Sequence, residues 1–259
     1  MHRFYLPPTD IQASLRTSDL GRLELTAREA HHAVHVRRLR QGEQVMVLDG
    51  AGHAFLCEME GAARKEVLLR VVEERSVPAP AYQISLLQAL PKGKLIESIV
   101  QKATELGASR IVPLVTERVV TQLEGRAAEQ KEQKLQGVAI EAMKQCGAAW
   151  LPKVEAPVTP AEFLARGEPF ELPLVASLQS DSQHARNYFR AFETQHGRRP
   201  RSLCIWIGPE GDFSGAELDA IKASGARPIT LGQLVLRTET AACYCLSIFN
   251  YELQAPPAL

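Results

Sequence analysis

Leu231-Gly232-Gln233-Leu234-Val235-Leu236-Arg237-Thr238-Glu239-Thr240-Ala241 decides how this chain is read. An apolar run ends at a glycine, a turn follows, and Arg-Thr-Glu-Thr opens what reads as the last helix. Ala241, Ala242, Cys245, Leu246, Ile248 and Phe249 then cluster as a buried helical face does. Thr238 is expected to cap the free N–H groups at the start of that helix, and Glu239 suits the positive end of its dipole. Upstream, Ile207-Gly208-Pro209-Glu210-Gly211-Asp212-Phe213-Ser214 is a second special turn between a strand-like run and a helix. Its two glycines let backbone approach a ligand closely, and its proline stiffens the bend. Each turn alone could simply connect a strand to a helix. Two of them at strand ends near one edge of an α/β sheet can face a single ligand. They would offer backbone groups to the rim of a purine and apolar walls to its faces.

Working outward, the stretch from about Pro80 to the end alternates strand-like and helix-like segments. Strands are expected at Tyr82–Leu90, Arg110–Val115, Leu172–Leu178, Ser202–Ile207 and Pro228–Leu231, and helices at Leu95–Leu106, through Ala139–Gln145, and after Ser214-Gly215-Ala216-Glu217. That last tetrapeptide is a capping box. The rhythm predicts a mostly parallel sheet covered on both faces. Before Ser76-Val77-Pro78-Ala79-Pro80, a stiff linker, the rhythm differs. Short strands are expected at Arg3–Leu6, Leu23–Leu25, Gln44–Asp49, His53–Met59 and Glu66–Val72, with a helix only over Ala27–Arg40 and a hairpin turn at Asp49-Gly50-Ala51-Gly52. Their close spacing suggests a small β-barrel. The domains are therefore placed at 1–75 and 80–259.

Composition sets the outer bounds. The chain has 259 residues, 45% hydrophobic and 23% charged, ordinary values for a soluble globular protein. Lys plus Arg equals Asp plus Glu at 30 each, so nucleic-acid binding would have to come from local patches. No stretch approaches the roughly 20 apolar residues of a membrane span, and the amino terminus lacks the apolar core of a signal peptide. No membrane partner and a cytoplasmic location are expected. The five cysteines are scattered and odd in number, which suits reduced core thiols, and no metal site is expected. A Walker-type Gly-x-x-x-x-Gly-Lys-Ser/Thr loop, a Gly-x-Gly-x-x-Gly turn, Gly-x-Ser-x-Gly and His-Glu-x-x-His are all missing, which argues against the corresponding nucleotide, hydrolase and zinc chemistries. His31-His32-Ala33-Val34-His35-Val36-Arg37-Arg38-Leu39-Arg40 has three histidines and three arginines with no acid. It reads equally as a site for RNA phosphates or as a solvated helix end.

These pieces occur in a specific order. Arg3-Phe4-Tyr5, the His31–Arg40 run, Lys102-Ala103-Thr104-Glu105-Leu106-Gly107, Glu141-Ala142-Met143-Lys144-Gln145, Ile207–Gly211 and Leu236–Ala241 follow one another as they do in the RsmE family. The chain resembles those SPOUT-class methyltransferases from its first residues almost to its last. The resemblance implies an amino-terminal PUA-like β-barrel that binds RNA, followed by a SPOUT α/β domain with a carboxy-terminal trefoil knot. It implies S-adenosylmethionine-dependent methylation of N3 of a uridine in small-subunit (16S) ribosomal RNA, acting on the RNA or the assembled small subunit, by a homodimer. The cofactor would lie against Leu178, Ile207, Gly208, Pro209, Glu210, Gly211, Leu231, Gly232, Leu236, Thr240 and Ala241. Arg237 would stabilise the deprotonated uridine, and Glu239 is either the base or a cap of the helix. Arg38, with Arg3 and Arg37, would anchor RNA. Leu234 and Ala148 stand where the family commonly has arginine. The rival expectations are a SPOUT methyltransferase acting on another RNA and a non-catalytic assembly factor.

Overall fold

The computed structural model describes residues 1–17, 21–63, 66–93, 95–118 and 125–254. The chain falls into two compact units, Met1–Ala79 with Ile140–Leu151, and Pro80–Ala139 with Pro152–Leu259.

In the first unit β1 (His2–Tyr5), β2 (Arg22–Thr26), β3 (Gln44–Leu48), β4 (His53–Ala63) and β5 (Glu66–Ser76) form one sheet in the order β1-β3-β4-β5-β2. Only β1 on β3 is parallel. Among the described residues the edge strands do not pair with each other, so the sheet is a half-barrel. Alternate residues point inward, as the pleat requires: Val45 and Val47, Phe55 and Cys57, Val67 and Leu69, Leu23 and Leu25 meet Phe4 in one core. The β3–β4 turn is the expected one. The Asp49 carboxylate accepts from the backbone N–H groups of Ala51 and His53 at 2.7 and 2.8 Å, and bonds His53 Nδ1 at 2.8 Å.

Two helical expectations are corrected here. Helix α1 (Pro8–Thr17) was not foreseen; it buries Ile11, while Leu15 is exposed, so no apolar stripe marks it. Its readable signal is Pro8 at the first helical position. The Ala27–Arg40 helix is shorter than expected. Helix α2 (Ala27–His31) widens into a π-helical turn over His32–Val36 and stops there. Arg38 then takes a left-handed backbone with φ 53°, which ends the helix, and Leu39 returns to the core.

Ile140–Leu151 closes the first unit. Gly52 sits so close to Trp150 that a Cβ would lie 2.6 Å from the indole, and its φ of 100° excludes most side chains. The Trp150 indole N–H reaches the carbonyls of Val77 and Pro78, both at 3.1 Å. Lys144, 5% exposed, pairs with Glu29 at 2.8 Å and Glu141 at 3.3 Å, and Glu29 also accepts from Tyr5 N. Removing one partner of a buried pair strands the other. Lys144→Ala should therefore cost about 3 kcal/mol in denaturant unfolding, and adding Glu29→Gln should recover most of it. An unchanged midpoint would show the pair contributes nothing.

The second unit holds β6 (Gln83–Ala89), β7 (Arg110–Leu114), β8 (Lys153–Val154), β9 (Leu172–Ala176), β10 (Gln183–His184), β11 (Ser202–Ile207) and β12 (Arg227–Thr230). All are parallel, in the order β10-β12-β9-β11-β6-β7-β8. On one face Leu87, Val175 and Trp206 pack with Phe163 of α5 (Pro160–Ala165) and with Leu218 and Ile221 of α7 (Gly215–Ala223). The Phe163 and Trp206 rings meet edge to face at 5.3 Å. Helix α3 (Leu95–Glu105) packs on α8 (Thr238–Gln254), and Phe189 of α6 (Ala185–His196) meets Phe249 of α8. Helix α4 (Arg126–Cys146) starts in this unit and ends in the first. This is the two-faced parallel sheet expected of the strand–helix alternation. Among the described residues no helix is long and apolar enough to cross a membrane.

Candidate cofactor site

β12, β9 and β11 are consecutive neighbours in the sheet, so the loops at their carboxy-terminal ends emerge side by side. After β9 come Ser177 and Leu178. After β11 the chain turns through Gly208-Pro209-Glu210-Gly211-Asp212, then enters α7 through the expected capping box. There Glu217 N donates to Ser214 Oγ and Ser214 N to the Glu217 carboxylate. After β12, Gly232 takes a φ of 112°, open only to glycine at low cost, and Gln233–Arg237 leads into α8.

These loops enclose a cavity of about 260 Å³. Leu178 lines it from the first loop, Ile207 through Gly211 from the second, and Leu231, Gly232, Leu236 and Ala241 from the third. Of the residues expected around the cofactor, only Thr240 does not line it. Leu234, Val235 and Thr238 of the same Leu231–Ala241 loop line it too, as do Ala176, Ser177 and Asp212 from outside the expected loops. Leu234 and Val235 are 77% and 76% exposed, so they sit at its mouth. The glycine turn is held from its other side: Lys92 N donates to Glu210 Oε1 at 3.1 Å, and Arg118 donates to the Gly211 carbonyl. Gly208 has no room for a side chain, since a Cβ there would lie 2.9 Å from Asp212 Oδ1 and 3.2 Å from Phe213 N.

Thr238 does not cap its helix as expected. It is the first residue of α8, buried, and its hydroxyl is used across the fold. Gln88 Nε2 donates to Thr238 Oγ1 at 2.8 Å, and Thr238 Oγ1 donates to the Gly208 carbonyl at 2.8 Å. A buried polar chain of this kind forms because each member would otherwise be unsatisfied. Gln88 escaped notice in the sequence, although one amide within Ile84-Ser85-Leu86-Leu87-Gln88-Ala89-Leu90 was a signal.

Arg237 is exposed, and among the described residues its side chain makes no hydrogen bond or ion pair. Neither it nor Glu239 lines the cavity. Glu239 is half-buried, with Oε2 buried and without a partner. Its charge acts on Cys243, one helical turn on. Burial chiefly lifts that thiol's pKa; Lys102 opposes the rise, while Glu105 and then Glu239 add to it. In the first unit Arg37 and Arg38 are exposed. The Arg3 guanidinium donates to the carbonyls of Lys144 and Gln145 at 3.1 and 2.8 Å, which satisfies the end of α4. No three His, Cys, Asp or Glu side chains gather as a metal site among the described residues.

The cavity is lined mainly by apolar side chains and glycine-turn backbone at parallel strand ends, with Ser177, Glu210, Asp212 and Thr238 as its few polar members, a lining that suits a flat heterocycle. Comparisons with known proteins agree with this. Residues 78–250 match the family model described as RNA methyltransferase domain, and residues 25–72 match RNA methyltransferase PUA domain. The chain is 30% identical to ribosomal RNA small subunit methyltransferase E of Bacillus subtilis, over 98% of each chain. It is 31% identical to the protein of that name from Synechocystis, over 89% of this chain and 73% of that one. A Legionella pneumophila protein solved in complex with the bound cofactor SAM superposes with a TM-score of 0.84 at 30% identity, covering 97% of each chain. A half-barrel followed by a parallel sheet, with two glycine turns meeting at its carboxy-terminal edge, is thus the build of a family. The chain belongs to the RNA methyltransferases, among the ribosomal RNA small subunit methyltransferase E proteins.

Proposed function

We propose that this protein methylates N3 of a uridine in small-subunit (16S) ribosomal RNA, using S-adenosylmethionine. The observation that carries the reading is the meeting of the Gly208–Gly211 turn, the Leu231–Ala241 loop and Leu178 around one cavity. The names of the relatives and the ligand of the Legionella protein support it. Leu178, Ile207, Leu231, Leu236 and Ala241 would hold the faces of the adenine, and the backbone of the two glycine turns its edge. When bound, the cofactor supplies an activated methyl group on a sulfonium.

The chain's own task is then positioning and proton management. A uridine imide is weakly acidic, so a cation that stabilises its deprotonated form lowers the barrier. Arg237, exposed and uncommitted, takes that role. Glu239 is assigned to the helix start rather than to proton removal, because a carboxylate in the first turn interacts favourably with the helix dipole and Glu239 does not line the cavity. The target base must leave any stack or pair to present N3. Arg37 and Arg38 hold RNA phosphates, and Arg3 serves the end of α4 instead. The working form is a cytoplasmic homodimer whose cofactor loops lie in a trefoil knot, as the family resemblance implies. The exposed Tyr244 and Tyr251 on α8, with Leu234 and Val235, provide apolar surface for the second subunit.

Mass spectrometry of 16S ribosomal RNA from a strain lacking the gene is the test. One N3-methyluridine should disappear and return with the wild-type gene. An unchanged methylation map, or loss from another RNA, would overturn the reading. In the purified system Arg38→Ala should weaken RNA binding and flatten its salt dependence by about one ion.

A further inference from the structure

We infer that Gln88 is a positioning residue for the cofactor cavity, fixing the direction of the Thr238 O–H bond and through it the Gly208 turn. The inference rests on the cavity being the S-adenosylmethionine site.

Gln88 is fully buried, at 0% exposure, in the interior strand β6, between β11 and β7. It stands opposite Ile207, the residue just before the glycine turn. Its side chain therefore reaches the point where the turn and the start of α8 meet. The orientation of the amide follows from its partners. Nε2 donates to the Ala89 carbonyl at 2.9 Å, and a carbonyl can only accept. The reversed amide would set oxygen against oxygen. The second Nε2 hydrogen goes to Thr238 Oγ1. A hydroxyl so approached has its single hydrogen directed elsewhere, and it goes to the Gly208 carbonyl. Strand β6, the β11 loop and α8 are thus joined by a chain of donors running one way.

The cost of this arrangement is visible. Gln88 Oε1 is buried with no hydrogen-bond partner. A buried acceptor left unpaired is unfavourable, and an apolar side chain in its place would avoid the penalty. The neighbours Ile84, Leu86, Leu87 and Ala89 are buried and apolar, so an apolar residue at position 88 would sit among its like. The amide is retained for what its Nε2 does. Without it, Thr238 is free to turn its hydrogen away from Gly208. The turn, which cannot carry a side chain at Gly208, then loses the bond that sets its carbonyl.

Titration calorimetry with S-adenosylmethionine tests this on the full chain. Gln88→Met and Thr238→Val should each weaken binding about tenfold. The double variant should bind within about twofold of Thr238→Val, because both changes break one chain and so do not add. Thr238→Ser keeps the hydroxyl and should stay within about threefold of the wild type. Wild-type affinity in Gln88→Met, or losses that multiply in the double variant, would overturn the inference. If Gln88→Met fails to fold, equal affinities of Thr238→Val and Thr238→Ser would overturn it instead. A wild-type protein that binds no S-adenosylmethionine removes the cavity reading itself, whereas a wild type that binds and a Gln88→Met that binds equally remove only the role of Gln88.

Discussion

Gly208→Val is expected to reduce S-adenosylmethionine affinity by about a hundredfold, equivalent to about 2.7 kcal/mol, while thermal unfolding shifts far less than a core substitution would cause. The reason is local. A Cβ at position 208 meets the Asp212 carboxylate at 2.9 Å and the Phe213 backbone nitrogen at 3.2 Å. The carboxylate cannot swing away freely, because it accepts from Phe213 N at 2.8 Å and Asp212 itself holds a left-handed φ of 63°. The turn must open, and opening it breaks the bond from Thr238 to the Gly208 carbonyl. Since Gly208, Pro209, Glu210 and Gly211 form one wall of the cavity, that wall moves as a unit. By contrast, a Cβ at Gly211 meets only the flexible Arg118 side chain, at 3.4 Å. Gly211→Ala should therefore bind within about threefold of the wild type, an effect on the scale of a surface change. Calorimetry on the two variants separates a wall that needs glycine from one that merely contains it. Equal affinities for both would mean that the turn does not bound the cofactor.

The contrast between these two glycines shows what the sequence can and cannot convey. Both glycine turns were readable because a strand that ends in glycine and reopens as a capped helix leaves a local signature. Their meeting in one cavity was inferable from alternation alone, since parallel strands put such loops on the same edge. The role of Thr238 was not readable. A threonine at a helix start has a local use as a cap, and only the position of Gln88 on a distant strand diverts its hydroxyl. The bonds of Arg3 were not readable either, because a surface cation and a cation that closes a helix end 141 residues away look alike in a sequence. The basic run at His31–Arg40 kept its composition but not its helix. A π-helical turn spans His32–Val36, and Leu39 N bonds back to the Ala33 carbonyl instead of continuing the helical ladder. No propensity scale anticipates that, whereas the pull of Leu39 into the core explains it.

Arg237→Ala is expected to lower the turnover of ribosomal substrate by about 10² to 10³-fold, the scale lost with one preorganised donor to a developing anion. Cofactor affinity should stay within about twofold of the wild type, because Arg237 does not line the cavity. The split is the informative part. A residue that merely shaped the loop before α8 would lose cofactor affinity along with rate. If the guanidinium stabilises the deprotonated imide, the variant must wait for solvent to remove the N3 proton. Its rate should then rise with pH more steeply than the wild type's, narrowing the gap in alkaline buffer. Arg237→Lys retains the charge without the planar fork that can span a carbonyl oxygen and a phosphate, so it should fall between the two. Loss confined to RNA affinity, with an unchanged single-turnover rate at saturating RNA, would move Arg237 from the reacting base to the backbone beside it. Wild-type turnover in Arg237→Ala would remove the electrostatic role and leave loss of the N3 proton to another group.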